Sequence, residues 1–237
     1  MLPIYNLTLR QLSGRWRLAI MTVLATLPVI IAVVMLGQSE TPSVEEFETA
    51  ILGAMLAGSI APLVVIAIAA AAFGNEVEDR TLANLTISPV PRWKIALPKL
   101  LATFSLAGPF IAVSALLTAH AAYLGDSQST LAVTVGAIVG VAMYASMFVW
   151  LGLVSTQAIG LGLLYIVLWE GFLSGFISGV RLLSIRFYAI ALMNGIDERR
   201  FAFIPHVSMT VAIIVAAAVI AGFLFLSIRR LRRMDIP

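Results

Sequence analysis

The groups in this chain that could do chemistry are few, and the most conspicuous sits where a charge is expensive. Glu170 lies within Leu168-Trp169-Glu170-Gly171, inside a long apolar run. A carboxylate at membrane depth costs roughly 2.5–3.5 kcal/mol, so it faces protein or water and takes a partner. Arg181 and Arg186 follow 11 and 16 residues on and are the candidate partners. Two roles stay open for these three residues: a structural ion pair, or a pathway or gating group. His120 and His206 are far apart in sequence, and no cysteine is present, which leaves a weak case for a metal. No Ser/His/Asp arrangement has a useful spacing. A nucleotide-binding loop needs Gly-x4-Gly-Lys-Ser/Thr. Gly53 and Gly58 have that glycine spacing, but Ser59 follows directly and no lysine is near. The chain is therefore expected to hold no catalytic residue, no metal and no cofactor of its own.

A second set of polar residues is concentrated at 74–99. Asn75 suits a helix cap, and Glu76, Glu78 and Asp79 then fall in the first turns, where acids complement the positive helix end. Glu76 and Arg80 have i,i+4 spacing. Leu82 and Leu85 form an apolar edge, and Ser88-Pro89-Val90-Pro91 ends the segment. The segment reads either as a short cytoplasmic helix with an acidic start and an exposed leucine edge or as a solvated loop.

These residues are placed by a strongly apolar frame. Of 237 residues, 61% are hydrophobic and only 11% charged, against roughly 25% charged in soluble domains. That balance excludes a soluble fold and intrinsic disorder, and the absence of alternating apolar residues argues against a membrane barrel. Six apolar stretches are long enough to cross a bilayer, at about 18–36, 51–73, 100–124, 131–154, 158–177 and 207–228. The expected fold is an all-α integral membrane protein of six transmembrane helices in a single domain over 1–237. The first stretch is too long for a signal core, and no small-x-small cleavage site follows it. Residues 1–17 suit a helix lying in the interface, with Ile4, Leu7 and Leu12 on one side. Gly136 and Gly140 form a small-xxx-small pair suited to close helix packing.

Basic residues set the orientation. Arg10, Arg15, Arg17, Arg80, Arg92, Lys94, Lys99 and the tail Arg229, Arg230, Arg232 and Arg233 all fall on one side of a six-span layout. The loop at 37–50 holds four glutamates and no basic residue. Both termini and the 74–99 loop are thus expected in the cytoplasm. Arg181, Arg186, Arg199 and Arg200 break the rule. Their presence, with glycines at 171, 175 and 179, predicts that 177–204 dips back into the outer leaflet as re-entrant helices, covered by protein or facing a cavity.

With those residues in view, the 74–99 segment resembles that of the membrane-spanning permease subunits of type-2 ATP-binding-cassette (ABC-2) exporters. The matching residues are the acids Glu76 and Glu78, then Arg80-Thr81-Leu82, Leu85, Pro89-Val90, Arg92 and Lys99-Leu100. The layout of interfacial helix, six spans, cytoplasmic helix after span two and re-entrant helices before span six is also similar. Pro91 and Pro98 depart from the pattern, and the outer loops are short. The resemblance implies that 76–86 is a coupling helix, with Glu76, Glu78, Arg80, Thr81, Leu82 and Leu85 docking a cytoplasmic ABC ATPase. It implies that ATP and Mg are bound in that partner chain, and that a second permease copy or paralogue completes a dimeric pathway. The expected location is a bacterial or archaeal plasma membrane (a cell inner membrane). Two other readings stay open: a haem-handling permease of cytochrome c maturation, and a membrane anchor or assembly factor without transport.

Overall fold

The computed structural model describes residues 2–38, 42–78, 91–174 and 178–233. These residues are helical with no strand among them. Five helices are long and apolar enough to cross a membrane: α2 (Arg15–Leu36), α3 (Val44–Gly74), α4 (Trp93–Ala122), α5 (Ser127–Val154) and α9 (Met209–Arg233). They correspond to the first, second, third, fourth and sixth apolar stretches. Around them lie the N-terminal α1 (Leu2–Leu12), α6 (Ala158–Leu173), the single turn α7 (Ser178–Arg181) and α8 (Ile185–Ile196). The remaining stretch, expected to span from 158 to 177, is α6. It covers about 24 Å at 1.5 Å per residue, less than a bilayer core of about 30 Å. Residues 175–177 of that stretch lie outside the described residues.

Local chemistry explains where the helices start and turn. α3 begins at Val44, earlier than the hydrophobicity alone suggests, because Ser43 and Glu46 form a capping box. The Glu46 N–H donates to Ser43 Oγ at 3.2 Å, and the Ser43 N–H donates to Glu46 Oε2 at 2.9 Å. Glu45, Glu46 and Glu48 thus belong to a helix and not to the 37–50 loop. The helix of α3 also runs on past Phe73: residues Ala71–Glu78 are helical. Glu76 and Glu78 therefore continue a helix that is already formed; they do not open a new one behind an Asn75 cap. Between α4 and α5 the chain reverses through Leu124 and Gly125, both with positive φ, and Asp126 caps α5.

α3 and α5 form the centre. At Gly152 of α5 a Cβ would collide with the Ala70 carbonyl of α3, so only glycine permits this approach. Gly136 faces α8, where a Cβ would come within 2.8 Å of the Ala189 carbonyl; it serves packing inside the chain. α2 buries a single narrow stripe, Met21, Ala25, Pro28 and Ala32, while Ile20, Val23, Ile30, Val33 and Val34 stay exposed. α9 likewise buries only Ala212, Ala216, Ser227 and Leu231. Such apolar, outward-facing surfaces suit lipid, which solvates them as well as a protein core does. α1 packs through Thr8 and Leu12 on α4, leaving Leu2 and Leu7 exposed beside Trp16.

Two stretches are π-helical, with i→i+5 bonding: Glu48–Ile60 in α3 and Tyr165–Leu173 in α6. They pack against each other. π-Helical turns are uncommon and recur at functional sites. Each of these two carries a buried glutamate, Glu48 in one and Glu170 in the other.

Candidate functional site

Three polar clusters are strung along the helices. The first is at the end of the molecule that holds the basic tail, where Arg229, Arg230 and Arg233 line a recess with Trp150 and Val154. Here Lys99 of α4 is only 1% exposed. Its ammonium donates to the Ala72 carbonyl and to Glu76 Oε1 (2.6 Å), and lies 4.4 Å from the centre of the Phe73 ring. A buried ammonium needs this degree of compensation, because an unpaired one would lose several kcal/mol of hydration. Glu76 therefore clips the base of the 79–90 connection to α4. Arg80, Thr81, Leu82 and Leu85, the other residues of the expected docking edge, lie outside the described residues, as does the side chain of Glu78.

The second cluster is midway along the helices. Glu170 is fully buried. Its Oε1 accepts from the Tyr165 hydroxyl at 2.8 Å and from the Ile185 N–H at 2.9 Å, and its Oε2 accepts from the Ser184 hydroxyl. Ser184 Oγ also accepts from the Phe187 N–H, capping α8. The carboxylate thus sits at the positive end of α8 and completes its N-terminus. α8 then runs back along the first half of α5, and at its far end the Gln128 side chain donates to the Ile196 carbonyl at 3.3 Å. The contact ion pairs expected of Glu170 with Arg181 or Arg186 do not form. Arg186 is within electrostatic range but outside contact, and Arg181 Nε donates to the Ser174 carbonyl at 3.3 Å. Three neutral donors do the work that an arginine was expected to do.

The third cluster closes the opposite end. Glu48, 3% exposed, accepts from the Phe201 N–H (2.7 Å) and the Tyr123 hydroxyl (3.0 Å). Arg200 lies 3.8 Å from Glu48, stacks over the Tyr123 ring at 4.0 Å and donates to Ser129 Oγ at 2.8 Å. Arg199 grips Asp197 through two bonds of 2.8 and 2.9 Å and reaches Asp126 at 3.1 Å. Ser129 Oγ donates to Asp197 at 2.7 Å. The Arg199 hydrogen bonds, more than Ser129, hold the Asp197 carboxyl at about 2, below its usual 3.8. Burial first, then the Glu48 charge, pushes the Tyr123 phenol well above its ordinary range. Phe201 is buried with φ +57°, an uncommon backbone for a bulky residue, and the Glu48 carboxylate secures its N–H. Arg199 and Arg200, which break the charge rule for orientation, are therefore answered by Glu48, Asp126 and Asp197.

Sequence reasoning singled out Glu170 and Glu76 but missed their partners Tyr165, Ser184 and Lys99, and missed the Glu48 centre. The i,i+5 spacing of Tyr165 and Glu170 is invisible to an α-helical reading. Neither histidine side chain is hydrogen-bonded into the three clusters among the described residues: His206 Nδ1 is 2.8 Å from the Ile204 carbonyl, and His120 flanks Gly125. Among the described residues, no group of His, Asp and Glu is arranged to hold a metal ion. Among the described residues, the three clusters hold buried charge and tie helices to one another.

Comparison with known proteins gives one family. Residues 9–182 match the model of a family described as ABC-2 family transporter protein. The match takes in the 74–99 segment and Glu170 and ends just after Arg181. No curated protein matches the chain.

Proposed function

We propose, from the premise that this chain belongs to the ABC-2 transporter family, that it is the permease half of an ATP-driven exporter. Family membership makes it a multi-pass membrane component of an ABC transporter. The proposal adds the working parts. A separate cytoplasmic ABC ATPase binds ATP and Mg and docks on the 76–86 segment through Glu76, Glu78, Arg80, Thr81, Leu82 and Leu85. A second copy or a paralogue completes the pathway. The chain crosses a bacterial or archaeal plasma membrane six times, with α6 as the fifth crossing, α1 in the interface, α7 and α8 re-entrant, and both termini cytoplasmic.

The observation that carries this reading is the family match over residues 9–182. The geometry supports a route for coupling. The Lys99–Glu76 clip ties the base of the docking connection to both α3 and α4. α3 packs through its π-helical stretch on that of α6, which holds Glu170 and hence the start of α8. A push on the connection is then felt by the elements that meet in the middle of the membrane.

The test is recovery of partners from native membranes in mild detergent. An ABC ATPase is expected in equal amount with the chain. Leu82→Asp is expected to lower that recovery at least fivefold, because a charge at an apolar anchor is desolvated on docking. Recovery of the chain without any ATPase, or equal recovery with Leu82→Asp, would overturn the proposal.

A further inference from the structure

A cavity of about 360 Å³ opens beside the start of α8, between α3 and the 203–205 segment. Arg181 and Arg186 both line it, together with Thr49, Ser174 and Ser184. Phe187, Ile190 and Phe203 supply apolar wall. The lining is unusual in its charge. Arg186 makes no hydrogen bond and no ion pair within 4.0 Å among the described residues. Its stem is seated against Gly58 of α3, where a Cβ would come within 2.8 Å of Arg186 Cδ. Space has thus been made for an arginine whose head group is left without a contact counter-ion.

The nearest buried carboxylate does not meet that need. Both oxygens of Glu170 are already engaged by Tyr165, Ser184 and the Ile185 N–H. The acid in the lining is Glu45, exposed at the capped start of α3, several helical turns along that helix from Gly58. The cavity walls hold two guanidinium groups against one remote carboxylate. A guanidinium is a planar donor fork matched to phosphate and carboxylate. An ionisable group at membrane depth ordinarily pairs with another charge or lines a path for one.

We propose that this cavity binds the oxyanion head of an anionic amphiphile, a phosphate or carboxylate, with its alkyl chain against Phe187, Ile190 and Phe203. The volume admits a head group and a short stretch of chain, not a folded protein. The inference stands on the cavity and is independent of the ATPase reading, whose own test is partner recovery.

The experiment is saturation binding of radiolabelled decyl phosphate and decanoate to the chain in phosphatidylcholine nanodiscs, with decanol as the uncharged control. One saturable site per chain is expected for both anions, and none for decanol. Arg186→Gln is expected to weaken binding about tenfold, Arg186→Lys less, and Arg233→Gln, on the remote tail, by less than twofold. Should Arg186→Gln fail to fold, Arg181→Gln at the same cavity is expected to weaken binding three- to tenfold. Equal affinity in wild type and the cavity variants, or equal binding of decanol, overturns the proposal. The same preparation, analysed by native mass spectrometry, distinguishes the sources. An anionic phospholipid retained at one per chain and displaced by decyl phosphate marks the occupant as a membrane lipid. A site that arrives empty and fills with decyl phosphate marks it as a transient cargo.

Discussion

Replacing Glu170 tests whether it acts as the terminus of α8 or as an ion-pair partner. Glutamine keeps one oxygen for Tyr165 and the Ile185 N–H but turns an amide toward Ser184 Oγ, which already accepts from Phe187. One charge-assisted bond is lost and two become neutral. Bonds to charged groups contribute roughly 1.5–3 kcal/mol and neutral ones roughly 0.5–1.5. The expected cost of Glu170→Gln is therefore about 1.5–3 kcal/mol. Leucine removes both acceptor oxygens and leaves the Tyr165 hydroxyl, Ser184 hydroxyl and Ile185 N–H without the bonds they donate to Glu170. At roughly 1–3 kcal/mol for each buried orphan, the cost rises to about 3–9 kcal/mol. Hydrogen exchange of the α8 amides in nanodiscs reads this locally, since about 1.4 kcal/mol is a factor of ten. The first turn of α8 should exchange roughly tenfold to a hundredfold faster with Gln, and faster still with Leu. Unchanged protection in Glu170→Leu would refute the assignment. So would equal damage from Gln and Leu that Arg186→Gln restores, because that pattern belongs to a contact ion pair.

Lys99→Met should destabilise the chain by about 2–4 kcal/mol, since it strands the Glu76 carboxylate against apolar groups. The double change with Glu76→Gln should recover most of that loss in a thermal melt, and no recovery would count against the clip. Asp197 has a folded-state value of about 2 against an ordinary 3.8, so its stabilisation is full above about pH 4 and is lost as pH falls toward 2. The difference is worth roughly 2 kcal/mol. The gap in melting temperature between wild type and Asp197→Asn should hold from pH 7 to about 4.5 and then close; a gap that widens in acid would reverse the sign. Gly152→Ala should destabilise by at least about 2 kcal/mol because its new methyl meets the Ala70 backbone, whereas Gly222→Ala, with open space around it, should gain up to about 1 kcal/mol of helix propensity. Equal melting temperatures for the two variants would contradict the close contact of α3 with α5.

The long helices were readable in the sequence because the bilayer imposes a length and a composition on them. Glu170 stood out for the same reason: a lone acid in Leu-Trp-Glu-Gly is improbable without a purpose. What could not be read was who answers it. Tyr165 lies on the same face as Glu170 only because the stretch between them is π-helical, and Ser184 is brought in by a turn after α7. Lys99 looked like a flanking cation that fixes orientation, and its neighbours Leu100 and Leu97 gave no sign that it was buried. Glu48 was grouped with the loop acids because hydropathy marks the start of the greasy run, whereas the helix starts at the Ser43–Glu46 cap. Conversely, the excess of arginine at 181–200 did signal that this region is no ordinary loop.

The clasp of three carboxylates and two arginines at Glu48, Asp126, Asp197, Arg199 and Arg200 bears on how the chain is made. Chains emerge from the ribosome N-terminus first. If that end of the molecule faces outward, Glu48 and Asp126 are already across the membrane before Arg199 and Arg200 are synthesised. The two arginines then pass to an acidic berth prepared by earlier segments, and their transfer leaves no excess positive charge on the far side. The ordering of charge along the polypeptide is itself part of the assembly instruction: a circular permutant that presented residues 185–204 before residue 48 would keep every contact of the finished clasp and still be expected to insert with this segment on the wrong face.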